Sequence, residues 1–258
     1  MSALPVIRGT SALLHPYKMT VLFRTVVGRF QNGAEQRSIA DPGGLIQFDI
    51  PYSKLSQAQK NTLKSYVATA RGGFDTTGSL VLGAITYTNL ILDSDEFSSI
   101  ESKPAQYGAS LKLSQVVTQN FSPGTPGLAF PTLANGSIGM LPFKQRQIWQ
   151  TMGAKVAAGP NYTTPEFGGG FTGYPSTGLM GWEIEERMLS DADAATLLAH
   201  FIANWGRAYS FPFTGEDATT YSHANGNGSP HYSSDSLVFT HNGPDDTDVK
   251  IAIELTNN

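Results

Sequence analysis

The chain has 258 residues, of which 40% are hydrophobic, 10% aromatic and 15% charged, and its 17 basic and 21 acidic side chains leave a net charge of −4. That apolar content supports a buried core and excludes a disordered chain, and the charge balance provides no positive field to gather nucleic acid or an anionic membrane. Cysteine is absent, which excludes disulfides, thiolate metal sites and a cysteine nucleophile, while 27 Gly and 15 Pro point to short strands and many turns. Residues 1–8 lack a basic segment followed by an apolar run of signal length, and no stretch approaches the ~20 apolar residues of a membrane span, so a soluble product without membrane insertion is expected.

In chain order, Gln47-Phe-Asp-Ile50 alternates polar and apolar side chains as a half-buried strand does. Ser56 with Gln59 three residues on then reads as the start of a helix, whose core face carries Leu63, Tyr66, Val67 and Ala70 and whose end falls at Gly72. A closing strand with period-two alternation spans 107–116. Residues 122–136 are rich in Pro, Gly, Ser, Thr and Asn, lack helical or strand periodicity, and read as a linker. The pattern then recurs: a strand at Gly181-Trp-Glu-Ile184, a helix opened by Ser190 and Asp193 with Leu197, Leu198, Phe201, Ile202 and Trp205 inward, Gly206, a long polar loop over 215–234, and a closing strand over 248–255.

Sliding the chain by 134 residues lays 45–72 on 179–206 without a gap, and 8 of the 28 positions are identical: Leu45, Ile50, Leu55, Ser56, Ala58, Thr62, Leu63 and Gly72. Phe48 and Trp182 share a slot, as do Leu55 and Leu189, each placed to close the start of its helix. The expected architecture is therefore mostly β, each unit a small sheet or β-sandwich with one helix, with α+β as the alternative label. Two tandem related domains follow: 1–121, a Pro/Gly-rich linker 122–142, and a diverged second copy 143–258.

A search for chemistry finds no catalytic, cofactor-binding or metal-binding residue to assign. His15, His200, His223, His231 and His241 lack the spacing that puts two imidazoles on one metal; His223 and His231 read as exposed loop residues and His200 as a half-buried helix position. Asp93-Ser-Asp-Glu96 and Asp245-Asp-Thr-Asp248 lack the ligand ladder of a calcium loop and read as solvated turns. Glu183, Glu185 and Glu186 resemble a glycosidase carboxylate group, but Glu183 and Glu185 share the strand face opposite Trp182 and Ile184, the solvent side. The run Phe167-Gly-Gly-Gly-Phe-Thr-Gly-Tyr174 has no phosphate-loop context and reads as a flexible loop offering Phe167, Phe171 and Tyr174 to a partner. A non-enzymatic protein without cofactors is expected.

With Gly28-Arg-Phe-Gln-Asn-Gly-Ala-Glu-Gln-Arg37, a strand, Leu55-Ser56 with a helix to Gly72, and a final Leu-Lys-Leu-Ser-Gln-Val116, the first unit resembles the minor or distal tail protein family of lambda-like siphophages. Phe30, Gly33, Gln36 and Arg37 match the opening motif of that family, and the match covers 20–118 well and 143–256 more weakly, since 168–174 replaces the Gln-Arg element in the second copy. The resemblance implies a split β-barrel or β-sandwich with one helix per unit, and a structural virion protein that forms a ring or hub between tail tube and tail tip. It also implies contacts with the tail tube protein and tail-tip hub proteins, assembly in the host cytoplasm, and a lumen that passes DNA without reading its sequence. A duplicated chain fits a homo-oligomeric ring of three-fold or six-fold symmetry, because two copies per chain fill pseudo-equivalent places around an axis. The alternative is a carbohydrate- or receptor-binding module at the tail tip, suggested by the aromatic loops 167–174 and 209–232.

Overall fold

The computed structural model describes residues 4–5, 7, 16–29, 35–70, 79–82, 85–93, 96–117, 121, 124–132, 144–151, 178–215, 219–225 and 228–256. The expected mostly-β class is what these residues form, as one large antiparallel sheet, two small two-stranded sheets and two α-helices. The alternation at Phe48 and Ile50 belongs to a long strand, β2 (Glu35–Leu55), paired with β1 (Tyr17–Arg29) on one side and β7 (Gln106–Val116) on the other. Its apolar residues Ile46, Phe48, Ile50 and Tyr52 are buried while Asp49 and Pro51 are exposed, the two-residue period expected of a sheet with one covered face.

Helix α1 (Gln57–Thr69) covers that face with Leu63, Tyr66 and Val67. Its start is the reciprocal box read from the sequence, with Ser56 Oγ accepting from Gln59 N at 3.3 Å and Gln59 Oε1 accepting from Ser56 N at 2.8 Å. Three short strands follow, β3 (Leu80–Leu82), β4 (Ile85–Tyr87) and β5 (Ile91–Leu92), then β6 (Ser99–Lys103), which forms a hairpin with β7.

The second half repeats each of these elements. Strand β8 (Lys144–Thr151) pairs with β9 (Gly178–Leu189) as β1 does with β2, and α2 (Asp191–Ala203) follows with Ser190 Oγ accepting from Asp193 N at 3.1 Å. Then come β10 (Phe213–Thr214), β11 (Thr220–Tyr221), β12 (Ser229–Tyr232), β13 (Ser236–Gly243) and β14 (Asp246–Thr256). The correspondence reaches single residues. Phe48 faces Leu113 as Trp182 faces Ile253, an offset of 134 residues on one strand and 140 on the other.

Both pairs of strands shift register at the same point, between Tyr52 and Leu55 in one and between Val249 and Thr247 in the other. A left-handed residue sits at each shift, Lys54 (φ 54°) and Met188 (φ 55°), and each closing hairpin turns through another, Ala105 (φ 60°) and Asp245 (φ 52°). Non-glycine residues rarely adopt positive φ, so their recurrence at matching positions marks one fold used twice. The aromatic packing recurs as well, since Phe48 meets Tyr87 and Trp182 meets Tyr221, both with ring centroids 4.9 Å apart.

Three readings need correction. The stretch 215–234, expected from its composition to be a long polar loop, contains β11 and β12, the counterparts of β4 and β5; β12 pairs with β14 as β5 pairs with β7. The linker composition of 122–136 does not make its described part free-running. Gly127 N donates to Asn204 Oδ1 at 3.0 Å, Phe130 N donates to the Pro212 carbonyl at 2.9 Å, and the Phe130 ring lies between His200, Phe211 and Phe213. Helix α2 ends one residue earlier than Gly206 suggests: Trp205 (φ 51°) takes the left-handed position, and Gly206 N closes the motif on the Phe201 carbonyl at 3.1 Å. Gly72 lies outside the described residues.

Candidate functional site

The two repeats do not stand apart. The sheet runs β5-β7-β2-β1-β13-β14-β9-β8, so the first strand of one repeat pairs with the hairpin strand of the other. Antiparallel pairing places Tyr17 opposite His241, Met19 opposite Phe239 and Leu22 opposite Ser236. The seam is apolar on its inner face, where Met19, Val21, Leu237 and Phe239 are all buried, and at its end the Tyr17 and His241 rings stack with centroids 4.5 Å apart.

Two polar clusters flank the seam. In the first, the Asp235 carboxylate accepts from Thr25 N at 2.7 Å, Thr25 Oγ1 at 2.8 Å and Arg207 N at 3.2 Å, while its carbonyl accepts from Phe23 N at 2.9 Å. Phe23 in turn packs edge-on to Trp205 at 5.6 Å. Gly206 is pressed into this cluster. A Cβ there would lie 3.0 Å from Asp235 Oδ1 and 3.2 Å from its Cα, on a backbone at φ +62°. Gly206→Ala is expected to cost about 1–3 kcal/mol through strain and displacement of Asp235, read as a lower midpoint in urea unfolding.

The second cluster is built on Arg37. Its guanidinium donates to Glu254 Oε1 at 2.7 Å and to the Arg207 carbonyl at 2.6 Å, with 5% of the arginine side chain exposed. The motif arginine of the first repeat is therefore bonded to the closing strand of the second. Behind it lies His231, 3% exposed and in register with Glu254.

His231 corrects an expectation of exposure, because on β12 it is core. Burial, and then the Arg37 and Arg207 charges, push its imidazole down to about pKa 3, although the nearby Tyr209 and Arg207 carbonyls favour protonation. Neither ring nitrogen makes a well-formed hydrogen bond among the described residues. The fold therefore holds a neutral ring. Because the folded value is depressed from 6.5, the unfolded chain binds the proton first, and stability present above pH 6.5 is lost as pH falls toward 3. Stability measured by denaturant unfolding is expected to fall by about 1.4 kcal/mol for each pH unit of acidification across that window, and His231→Gln to flatten the profile.

His200, read as a half-buried helix position, is also buried. Its Nδ1 lies 2.7 Å from the Tyr232 hydroxyl and its Nε2 lies 3.1 Å from the Leu128 carbonyl, so the neutral ring donates through Nε2 and accepts through Nδ1. Burial lowers its pKa. His241 bonds Thr247 Oγ1 through Nδ1 at 2.8 Å, His223 is exposed as expected, and His15 lies outside the described residues. No group of three His, Asp or Glu residues with metal-holding geometry occurs among the described residues.

The carboxylates of β9 follow the two-residue alternation of the strand. Glu183 is exposed, Trp182 and Ile184 are buried, and Glu185 is tied to Arg187 Nη2 at 2.7 Å and sits 3.9 Å from Lys250 Nζ. Glu186, two residues on from Ile184, is buried on the same face as Trp182 and Ile184, at the position that Tyr52 takes in the first repeat. In the loop 209–232, Tyr221 packs on Trp182 and Tyr232 is fully buried, while Tyr209 is 41% exposed. The stretch 167–174 lies outside the described residues, as do residues 30–34 with Phe30 and Gly33. No helix among the described residues is long and apolar enough to cross a membrane.

This sequence matches no protein-family model and no curated protein.

Proposed function

We propose that this chain is a structural, self-assembling component of a bacteriophage tail, a distal or minor tail protein forming a ring or hub between tail tube and tail tip. The observation that carries the reading is the seam itself, where two copies of one β unit join edge to edge in a single sheet. A unit that pairs with its own copy by strand addition is a building block, and head-to-tail pairing repeated around an axis generates a ring.

The motif that carries the family resemblance agrees with this role. Arg37 bonds Glu254 and the Arg207 carbonyl, a contact between the repeats. A sugar-binding platform needs exposed aromatic faces, whereas Tyr221 and Tyr232 spend theirs on packing, so assembly is favoured over the receptor-binding alternative.

Two arms test the proposal. Mass photometry of the purified chain at micromolar concentration is expected to show three-fold or six-fold species, and mass spectrometry of virions from the phage encoding it is expected to find the chain in the particle. Monomers alone count against the ring, and absence from purified virions overturns the tail assignment.

A further inference from the structure

We infer that strand β8 of one molecule pairs antiparallel with strand β6 of the next, reproducing between chains the β1–β13 seam found within the chain. The inference rests on the self-assembly part of the proposed function, and not on its phage context.

The repeat correspondence dictates the geometry. Arg146 faces Glu183 where Lys18 faces Asp49, so β8 is the counterpart of β1. Ser99 faces Ala109 where Phe239 faces Val249, with the same register shift one turn later, so β6 is the counterpart of β13. Within the chain β1 and β13 meet. Among the described residues their counterparts do not: β8 pairs with β9 and β6 with β7, each leaving its other edge open.

The open edge of β6 looks like a seam lacking its partner. In β13, Ser236, Leu237 and Val238 are strand residues paired to β1, ahead of the first pair with β14 at Phe239. Their counterparts Glu96, Phe97 and Ser98 precede the start of β6 and are not strand. Ile100, at the position of Thr240, is 76% exposed. An edge carrying an exposed isoleucine and unpaired backbone groups is a template for strand addition.

Charge selects which edge it takes. Strand β8 carries Lys144 and Arg146 and no acid, whereas residues 96–103 carry Glu96 and Glu101 against Lys103. The two outer edges thus attract each other, while two copies of the same edge repel. A second copy of this chain is the occupant that fits. Transferring the β1–β13 register onto the outer edges sets Gln147 opposite Ser99, Arg146 opposite Ile100 and Gln145 opposite Glu101. The contact is heterologous, each chain offering β8 to one neighbour and β6 to the other.

The absence of cysteine makes the register directly testable. Gln147→Cys and Ser99→Cys chains, made separately and mixed under mild oxidation, are expected to give a disulfide-linked dimer severalfold above the off-register mixture of Gln147→Cys with Glu101→Cys. The pair Arg146→Cys and Ile100→Cys is run in parallel, because adjacent antiparallel pairs alternate between hydrogen-bonded and closer non-hydrogen-bonded geometry. Lys144→Glu/Arg146→Glu is expected to shift the oligomer toward smaller species, and Glu96→Lys/Glu101→Lys in the mixed partner to restore it. If the unmodified chain assembles but neither in-register pair exceeds the off-register control, this interface is overturned and the assembly reading stands. If the unmodified chain stays monomeric at micromolar concentration, both are overturned.

Discussion

Arg37→Ala is expected to lower stability by about 3–5 kcal/mol, the usual cost of removing one partner from a buried ion pair. The arginine side chain is 5% exposed and Glu254 17%, so truncation removes the guanidinium from a carboxylate in a shielded site beside His231 and from the Arg207 carbonyl as well. Arg37→Lys restores charge without the two-pronged donor geometry and is expected to recover only part of the loss. Urea unfolding measures the midpoint shift. A loss below about 1 kcal/mol, typical of an exposed pair, contradicts the reading of Arg37 as a clamp between the repeats.

Trp182→Ala is expected to cost about 3–5 kcal/mol, and Phe48→Ala a similar amount, since the two occupy one slot in the repeated fold. Trp182 is 0% exposed and Phe48 1%, and each packs at 4.9 Å on the tyrosine of its own repeat. Because the sheet is continuous, both variants are expected to unfold in a single transition with a reduced midpoint. A biphasic curve, in which Phe48→Ala melts one half and spares the other, contradicts the joined sheet.

Local chemistry made the repeat unit legible. Alternation around Phe48 and Trp182, the Ser56 and Ser190 caps and the closing strands each need only a few neighbouring residues, and the structure places all of them as the spacing predicts. The later part of the repeat was hidden because the offset slips from 134 residues to 140 between Tyr221 and His231. A gapless comparison loses the match there, so β11 and β12 read as polar loop, and the burial of His231 went with them.

The seam was hidden for a different reason. Pairing of Tyr17 with His241 joins opposite ends of the chain, and no local pattern encodes which of several amphipathic strands will be neighbours. Arg37 stood out as a motif residue, but its partner Glu254 lies on a strand 217 residues away. The extra residues that cause the offset slip include the turn His223–Asn225.

Electron cryo-microscopy of the purified assembly tests the central claim most directly. The expected map shows continuous sheet crossing every subunit boundary, with β8 of one chain antiparallel to β6 of the next and Gln147 opposite Ser99, alternating with the β1–β13 seam inside each chain. A map in which subunits meet through helix faces or loops, with the outer edges of β8 and β6 unpaired, contradicts it.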